Sequence, residues 1–193
     1  MKTTIFYFTG TGNSLKIAKD LSERLEGSTL IPIASVWDIE NFQTKSEKVG
    51  FVFPLYWSGL PKIVHDFIMN LNLNKSNYIF AVITSAGDIN EQPLQQLVKL
   101  LKAKDKILNA GFYITMPSNY IIGYDVTSEE RQRKYFQKAT EDVELISGTI
   151  KNDKEHLSDH ILKKDVSRSA RINKKFRDEV NTSDNSFYAD KNC

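Results

Sequence analysis

The chain has 193 residues, 40% hydrophobic and 26% charged, with 26 Lys and Arg against 24 Asp and Glu for a net charge of +2. That is enough apolar material for one globular core, and the near balance of charge argues against a nucleic-acid or anionic-membrane partner. No apolar run approaches the roughly 18–20 residues that span a bilayer, no signal peptide is visible, and the lone Cys193 has no internal disulfide partner, so a cytoplasmic protein is expected.

In chain order, Ile5 to Phe8 is a short apolar run that predicts a buried strand, and Leu15, Ile17, Ala18, Leu21 and Leu25 follow at helical spacing. Leu30 to Ile33 predicts a second strand, Val36 to Phe42 is too short to assign, and Val49 to Phe53 predicts a third strand. Ile63 to Leu71 and Leu94 to Leu101 read as helices on either side of a fourth strand at Tyr78 to Ile83. A fifth strand is expected at Phe112 to Met116 and a long helix at Ser128 to Ile150. Alternating strands and helices predict a doubly wound, five-stranded parallel α/β sheet over residues 1–150, with any ligand at the carboxyl ends of the strands. Residues 125–193 hold 14 basic and 14 acidic groups, against 12 and 10 in residues 1–124, so 151–193 reads as a helical extension with solvated faces.

The loop after the first strand is Thr9-Gly10-Thr11-Gly12-Asn13-Ser14, and a helix follows at once. Its two glycines permit a tight turn, the helix start offers unpaired amides, and four side chains can donate to an anion, yet the loop holds no Lys or Arg. It lacks the Gly-Lys-Ser/Thr of a nucleotide-triphosphate loop, and Leu15 stands where a dinucleotide fingerprint has its third glycine. A phosphate cradle and a simple helix cap both fit these residues.

After the third strand comes Pro54-Leu55-Tyr56-Trp57-Ser58-Gly59-Leu60-Pro61, whose adjacent aromatics either cover the core or form a wall for a flat heteroaromatic ring. The loop after the fourth strand carries Ser85-Ala86-Gly87, where backbone amides can approach a ligand edge, and Asp88 or Asn90 can cap the next helix. Asn119 and Tyr120 open at the same side after the fifth strand, although Tyr120 and Tyr124 also suit loop packing. His156 and His160, four apart, have no third ligand for zinc and read as a solvated pair, His65 reads as a surface or satisfied histidine, and no metal site is expected. No nucleophile elbow occurs, and the basic stretch from Lys163 to Arg177 is interrupted by acids, as in a solvated helix face.

Phe8-Thr9-Gly10-Thr11-Gly12-Asn13-Ser14 after a strand resembles the phosphate loop of flavodoxins, with Ser-Leu where most of them have Thr-Glu after the Asn. The resemblance implies a flavodoxin-like fold and a non-covalent FMN whose phosphate meets Thr9, Thr11, Gly12, Asn13 and Ser14. It implies further that Trp57 or Tyr56 stacks on the isoalloxazine and that the Ser58-Gly59 peptide responds to the redox state at flavin N5. Phe187 to Cys193 resembles the approach to a bacterial ferredoxin cysteine run, and the first nine residues of the motif, from Phe6, are similar to those of EFR1-family flavodoxin–ferredoxin fusion proteins. The expected function is therefore single-electron transfer to or from a ferredoxin or other iron–sulfur partner, with 151–193 leading into a ferredoxin domain that this chain lacks. With one cysteine, no iron–sulfur cluster is expected in the chain. An NAD(P)H-dependent FMN or quinone reductase on the same fold is the alternative.

Overall fold

The computed structural model describes residues 2–87, 92–120, 123, 125–157, 163, 165–186, 188 and 191. Five strands, β1 (Thr3–Tyr7), β2 (Thr29–Pro32), β3 (Lys48–Pro54), β4 (Tyr78–Ser85) and β5 (Ala110–Thr115), pair in the parallel order β2-β1-β3-β4-β5. The reversal of winding between β1 and β3 opens a crevice at the carboxyl ends of those strands. This is the expected flavodoxin-like α/β fold.

Strand geometry sends alternate side chains to opposite faces, and β4 divides its residues accordingly. Ile79, Ala81 and Ile83 join Phe6, Phe51 and Phe53 in one core, under helices α2 (Lys62–Asn70) and α3 (Gln92–Lys102). Phe80 and Val82 join Ile5 and Val52 in the other, under α1 (Asn13–Arg24) and α4 (Glu129–Lys151). α1 buries Ile17, Ala18 and Leu21 as its spacing predicts, and Ser14 with them, while Leu15 of the predicted stripe is only half-buried. Gly50 in β3 has no side chain because the Phe80 ring fills that space: a Cβ there would lie 2.2 Å from Phe80 Cζ.

Val36 to Phe42 forms no helix of its own. A 3-10 turn at Ile33–Ser35 precedes it, and Phe42 turns inward, its ring edge-on to Phe6 at 6.0 Å. In the charged last third, α5 (Ser167–Glu179) is helical as expected, with Asn173 as its buried residue. His160, Asp88, Asn90, Tyr124 and Cys193 lie outside the described residues. Among the described residues no helix is long and apolar enough to cross a membrane.

The end of α4 is pinned by Lys48, whose ammonium donates to the Ile150 carbonyl at 2.8 Å and pairs with Asp153 at 2.7 Å. Beside it, buried Tyr78 donates its hydroxyl to the Lys154 carbonyl at 2.8 Å. Burial, helped by the nearby carboxylates of Asp153 and Glu155, pushes its phenol from 10.0 up to about 12. The folded state thus favours the neutral phenol, a contribution fully present below pH 10.0 and lost as the pH rises towards about 12. Urea midpoints measured at successive pH values should fall across that window in the wild type and less steeply in Tyr78→Phe; parallel curves would remove Tyr78 from the alkaline transition.

Candidate ligand-binding cleft

The first loop turns at Gly12, which caps α1 with φ 101° and ψ −21° and makes no side-chain cap to the helix. Its own N–H donates to Thr9 Oγ1 at 3.0 Å, and the first intrahelical bond runs from Lys16 N to Gly12 O at 2.9 Å. The first-turn amides of α1 are left without a side-chain acceptor, at the positive end of the helix dipole. Thr9 and Thr11 each use the hydroxyl oxygen as an acceptor, Thr11 from Asn119 Nδ2, so each keeps its own proton to donate.

Two of the four polar side chains of the loop are committed elsewhere. Asn13 Nδ2 donates to the Pro117 carbonyl at 3.0 Å, and Ser14 Oγ, buried, shares a hydrogen bond with Thr84 Oγ1 at 2.8 Å. These bonds lash the loop to the segment after β5 and to the carboxyl end of β4 itself. Gly10 lets the next loop close in, since a Cβ there would lie 2.4 Å from the Tyr56 hydroxyl.

In that next loop the Tyr56 and Gly59 N–H and C=O groups pair reciprocally at 3.1 and 2.9 Å, closing a two-residue hairpin. Its centre, Trp57 and Ser58, has φ of 45° and 62°, the left-handed pair that such turns require and that glycine or asparagine usually supplies. Tyr56 is half-buried, edge-on to Phe8 at 6.0 Å and to Phe176 of α5 at 6.4 Å, and burial raises the pKa of its phenol. Trp57 is 63% exposed and rests on Phe176, the rings 6.1 Å apart and 22° from parallel. Of the two aromatics, Tyr56 thus belongs to the packing and Trp57 to the surface.

These loops border one cleft of about 1210 Å³. Thr9, Gly10, Thr11, Asn13 and Ser14 line it from the first loop, Pro54, Leu55, Tyr56 and Trp57 from the second, Ser85, Ala86 and Gly87 from the third, and Asn119 from the fourth. Gly12, Ser58 and Gly59 shape the turns behind this surface. At the cleft wall the buried Ser85 hydroxyl has no hydrogen-bond partner among the described residues, and Gly87 holds φ 132°. The residues fit a phosphorylated, flat polar ligand: free amides and two hydroxyl protons at one end, an open indole at another, and an unsatisfied hydroxyl between them.

Sequence reasoning missed Arg131, Tyr135, Phe176 and Val180, which also line the cleft. α4 begins with an i,i+4 ladder, Glu129 to Arg133 and Glu130 to Lys134, that passes Arg131 by. Among the bonds of the described residues the Arg131 guanidinium reaches only the Tyr135 hydroxyl, at 3.4 Å, and among the described lining residues it is the one Lys or Arg. The missing acid at position 135 was the available signal. His65 pairs with Asp66 at 2.9 Å, and the exposed His156 ring stacks on Phe112 at 4.6 Å. No group of three or more metal-ligating side chains is close enough to hold an ion among the described residues.

A family model described as a flavodoxin domain matches residues 4–112, more than half of the chain. The chain belongs to the flavodoxin-domain family. No curated protein matches it. Among solved structures, this flavodoxin domain is similar to an FMN-dependent NADH-azoreductase from Bacillus anthracis str. Ames Ancestor in complex with FMN, at 11% identity and TM-score 0.52, over 78% of this chain and 99% of the other. An azoreductase from Bacillus anthracis str. Sterne gives 10% identity and TM-score 0.50 over 77% and 100%. A short-chain flavodoxin associated with a bacterial microcompartment gives 12% and 0.44 over 76% and 99%. At such identities the likeness is one of fold.

Proposed function

We propose that this flavodoxin domain binds FMN non-covalently in the cleft and passes single electrons to or from an iron–sulfur partner. The observation that carries the reading is the uncapped start of α1 behind the Gly12 turn, opening into the same cleft as the exposed indole of Trp57. In this reading the first-turn amides of Asn13 and Ser14 and the hydroxyls of Thr9 and Thr11 hold the phosphate, with the Gly12 N–H kept on Thr9 Oγ1. Trp57, rather than half-buried Tyr56, stacks on the ring, and Ser85 Oγ meets a polar atom of the ring edge. FMN supplies the redox chemistry; the chain binds it, orients it and limits its contact with water. The ferredoxin-like approach at Phe187 to Cys193 and the EFR1-like amino terminus support an iron–sulfur partner, with residues 1–150 as the main FMN-binding unit and 151–193, whose Phe176 and Val180 also line the cleft, as the lead toward that partner.

Replacing Trp57 with alanine removes one stacking face, worth about 2 kcal/mol, so FMN affinity should fall roughly 30-fold and the potential should shift. Fluorescence titration and a potentiometric series check this; unchanged values would place the indole away from the ring.

A reductase acting by two-electron transfer is the second reading, favoured by the size of the cleft, about 1210 Å³ against roughly 300–1,000 Å³ for most single-ligand sites, and by Arg131 as a counter-charge for a second, anionic ligand. Stepwise dithionite reduction of the FMN-loaded protein separates the two. Long-wavelength absorbance that rises and falls midway supports the carrier; direct bleaching with NADH turnover supports the reductase.

A further inference from the structure

α5 is charged along most of its length and has Asn173 as its buried residue, with no exposure at all. An amide withdrawn from water is costly unless its polar atoms are met, and here they are. Asn173 Nδ2 donates to the carbonyls of Tyr56 at 3.0 Å and Leu60 at 3.1 Å, while its Oδ1 accepts from Gln96 Nε2 of α3 at 2.7 Å. Gln96 returns to the same loop, its Oε1 accepting the Leu60 N–H at 2.9 Å. Both ends of the aromatic hairpin are therefore tied to one carboxamide pair.

Gly59 explains itself in this setting. A Cβ there would stand 2.4 Å from the Asn173 side-chain carbon, so the amide occupies the volume a side chain would need. Three residues further along α5, Phe176 stacks on Trp57. The Trp57-Ser58 turn, left-handed without glycine or asparagine at either central position, would relax in an isolated loop.

We infer that Asn173 is a positioning residue: through it, α5 is a brace that holds the Trp57-Ser58 turn in its left-handed form and sets the indole at the mouth of the cleft. The brace rests on these hydrogen bonds; only its consequence for FMN rests on the function proposed above. A displacement of α5 would then reach the ring site directly, through the Asn173 hydrogen bonds and the Phe176 ring on Trp57.

Hydrogen-exchange NMR on the full chain without ligand tests the brace. Asn173→Asp keeps the size and the acceptor for Gln96 but removes the donor to both carbonyls; Gly59→Ala unseats the same amide from the loop side. In each variant the Tyr56, Gly59 and Leu60 amides should exchange at least tenfold faster while Val82, in the middle of β4, keeps its rate. Unchanged loop rates overturn the brace, and so does acceleration spread equally to Val82, which would mean general destabilisation. FMN affinity of Asn173→Asp should fall at least fivefold; unchanged affinity with a loosened loop would confine the brace to the loop and overturn its reach to the ring. Wild type that binds no FMN would refute the proposed function and leave the exchange result to decide the brace.

Discussion

Gly12→Ala should weaken FMN binding by roughly 5- to 30-fold and leave riboflavin binding, which involves no phosphate, unchanged. At φ 101° a side chain is strained, and a Cβ at this position meets nothing within 4 Å, so the cost is conformational and free of any clash. That cost is about 1–2 kcal/mol, and the loop can shed it only by rotating the Asn13 and Ser14 amides away from the direction in which they point. The same strain should lower the melting temperature of the ligand-free chain by roughly 2–8 °C. Equal losses for FMN and riboflavin would show that the turn shapes the ring pocket instead of a phosphate site.

The second large effect concerns the sheet that carries these loops. Gly50→Ala forces a methyl group to within 2.2–2.9 Å of three atoms of the Phe80 ring, and Phe80 is fully buried. Gly50 and Phe80 are direct partners across β3 and β4, so neither can slide without breaking the ladder. Overpacking of this kind should cost about 3 kcal/mol and lower the melting temperature by roughly 6–12 °C. Adding Phe80→Leu should recover more than 1 kcal/mol of that loss, since the two positions share one space. Additive effects in the double variant would show that the strain lies elsewhere.

Much of the fold was legible because buried parallel strands are written as continuous apolar runs: Val49 to Phe53 and Tyr78 to Ile83 leave no face for water. The 3.6-residue spacing of Ile17, Ala18 and Leu21 was equally direct, and the first loop declared its turn through Gly12. Val36 to Phe42 was opaque because only the second of its two aromatics packs inward, Phe42 against Phe6 and Phe67, while Trp37 stays exposed, and an irregular segment has no period. The uses of Asn13 and Ser14 were hidden for a different reason. Their partners, the Pro117 carbonyl and Thr84, lie 104 and 70 residues away, so only tertiary structure decides whether those side chains face a ligand or a neighbouring loop.

The same distance concealed Asn173. In sequence it is one polar residue within a charged helix, and its partners Tyr56 and Leu60 lie 117 and 113 residues earlier. Trp57 and Tyr56 were adjacent and indistinguishable until β3 ended and the hairpin turned one inward and the other outward. Loop chemistry is thus readable where the backbone demands a residue type, as at Gly12, and unreadable where a side chain answers to a remote element.

Parallel titrations of the ligand-free chain with FMN and with riboflavin, followed by quenching of flavin fluorescence, bear most directly on the phosphate cradle. Charge-assisted hydrogen bonds from the α1 amides should make FMN bind roughly 100-fold more tightly than riboflavin, at one equivalent per chain. Equal affinity for the two flavins, or binding of neither, would contradict the account.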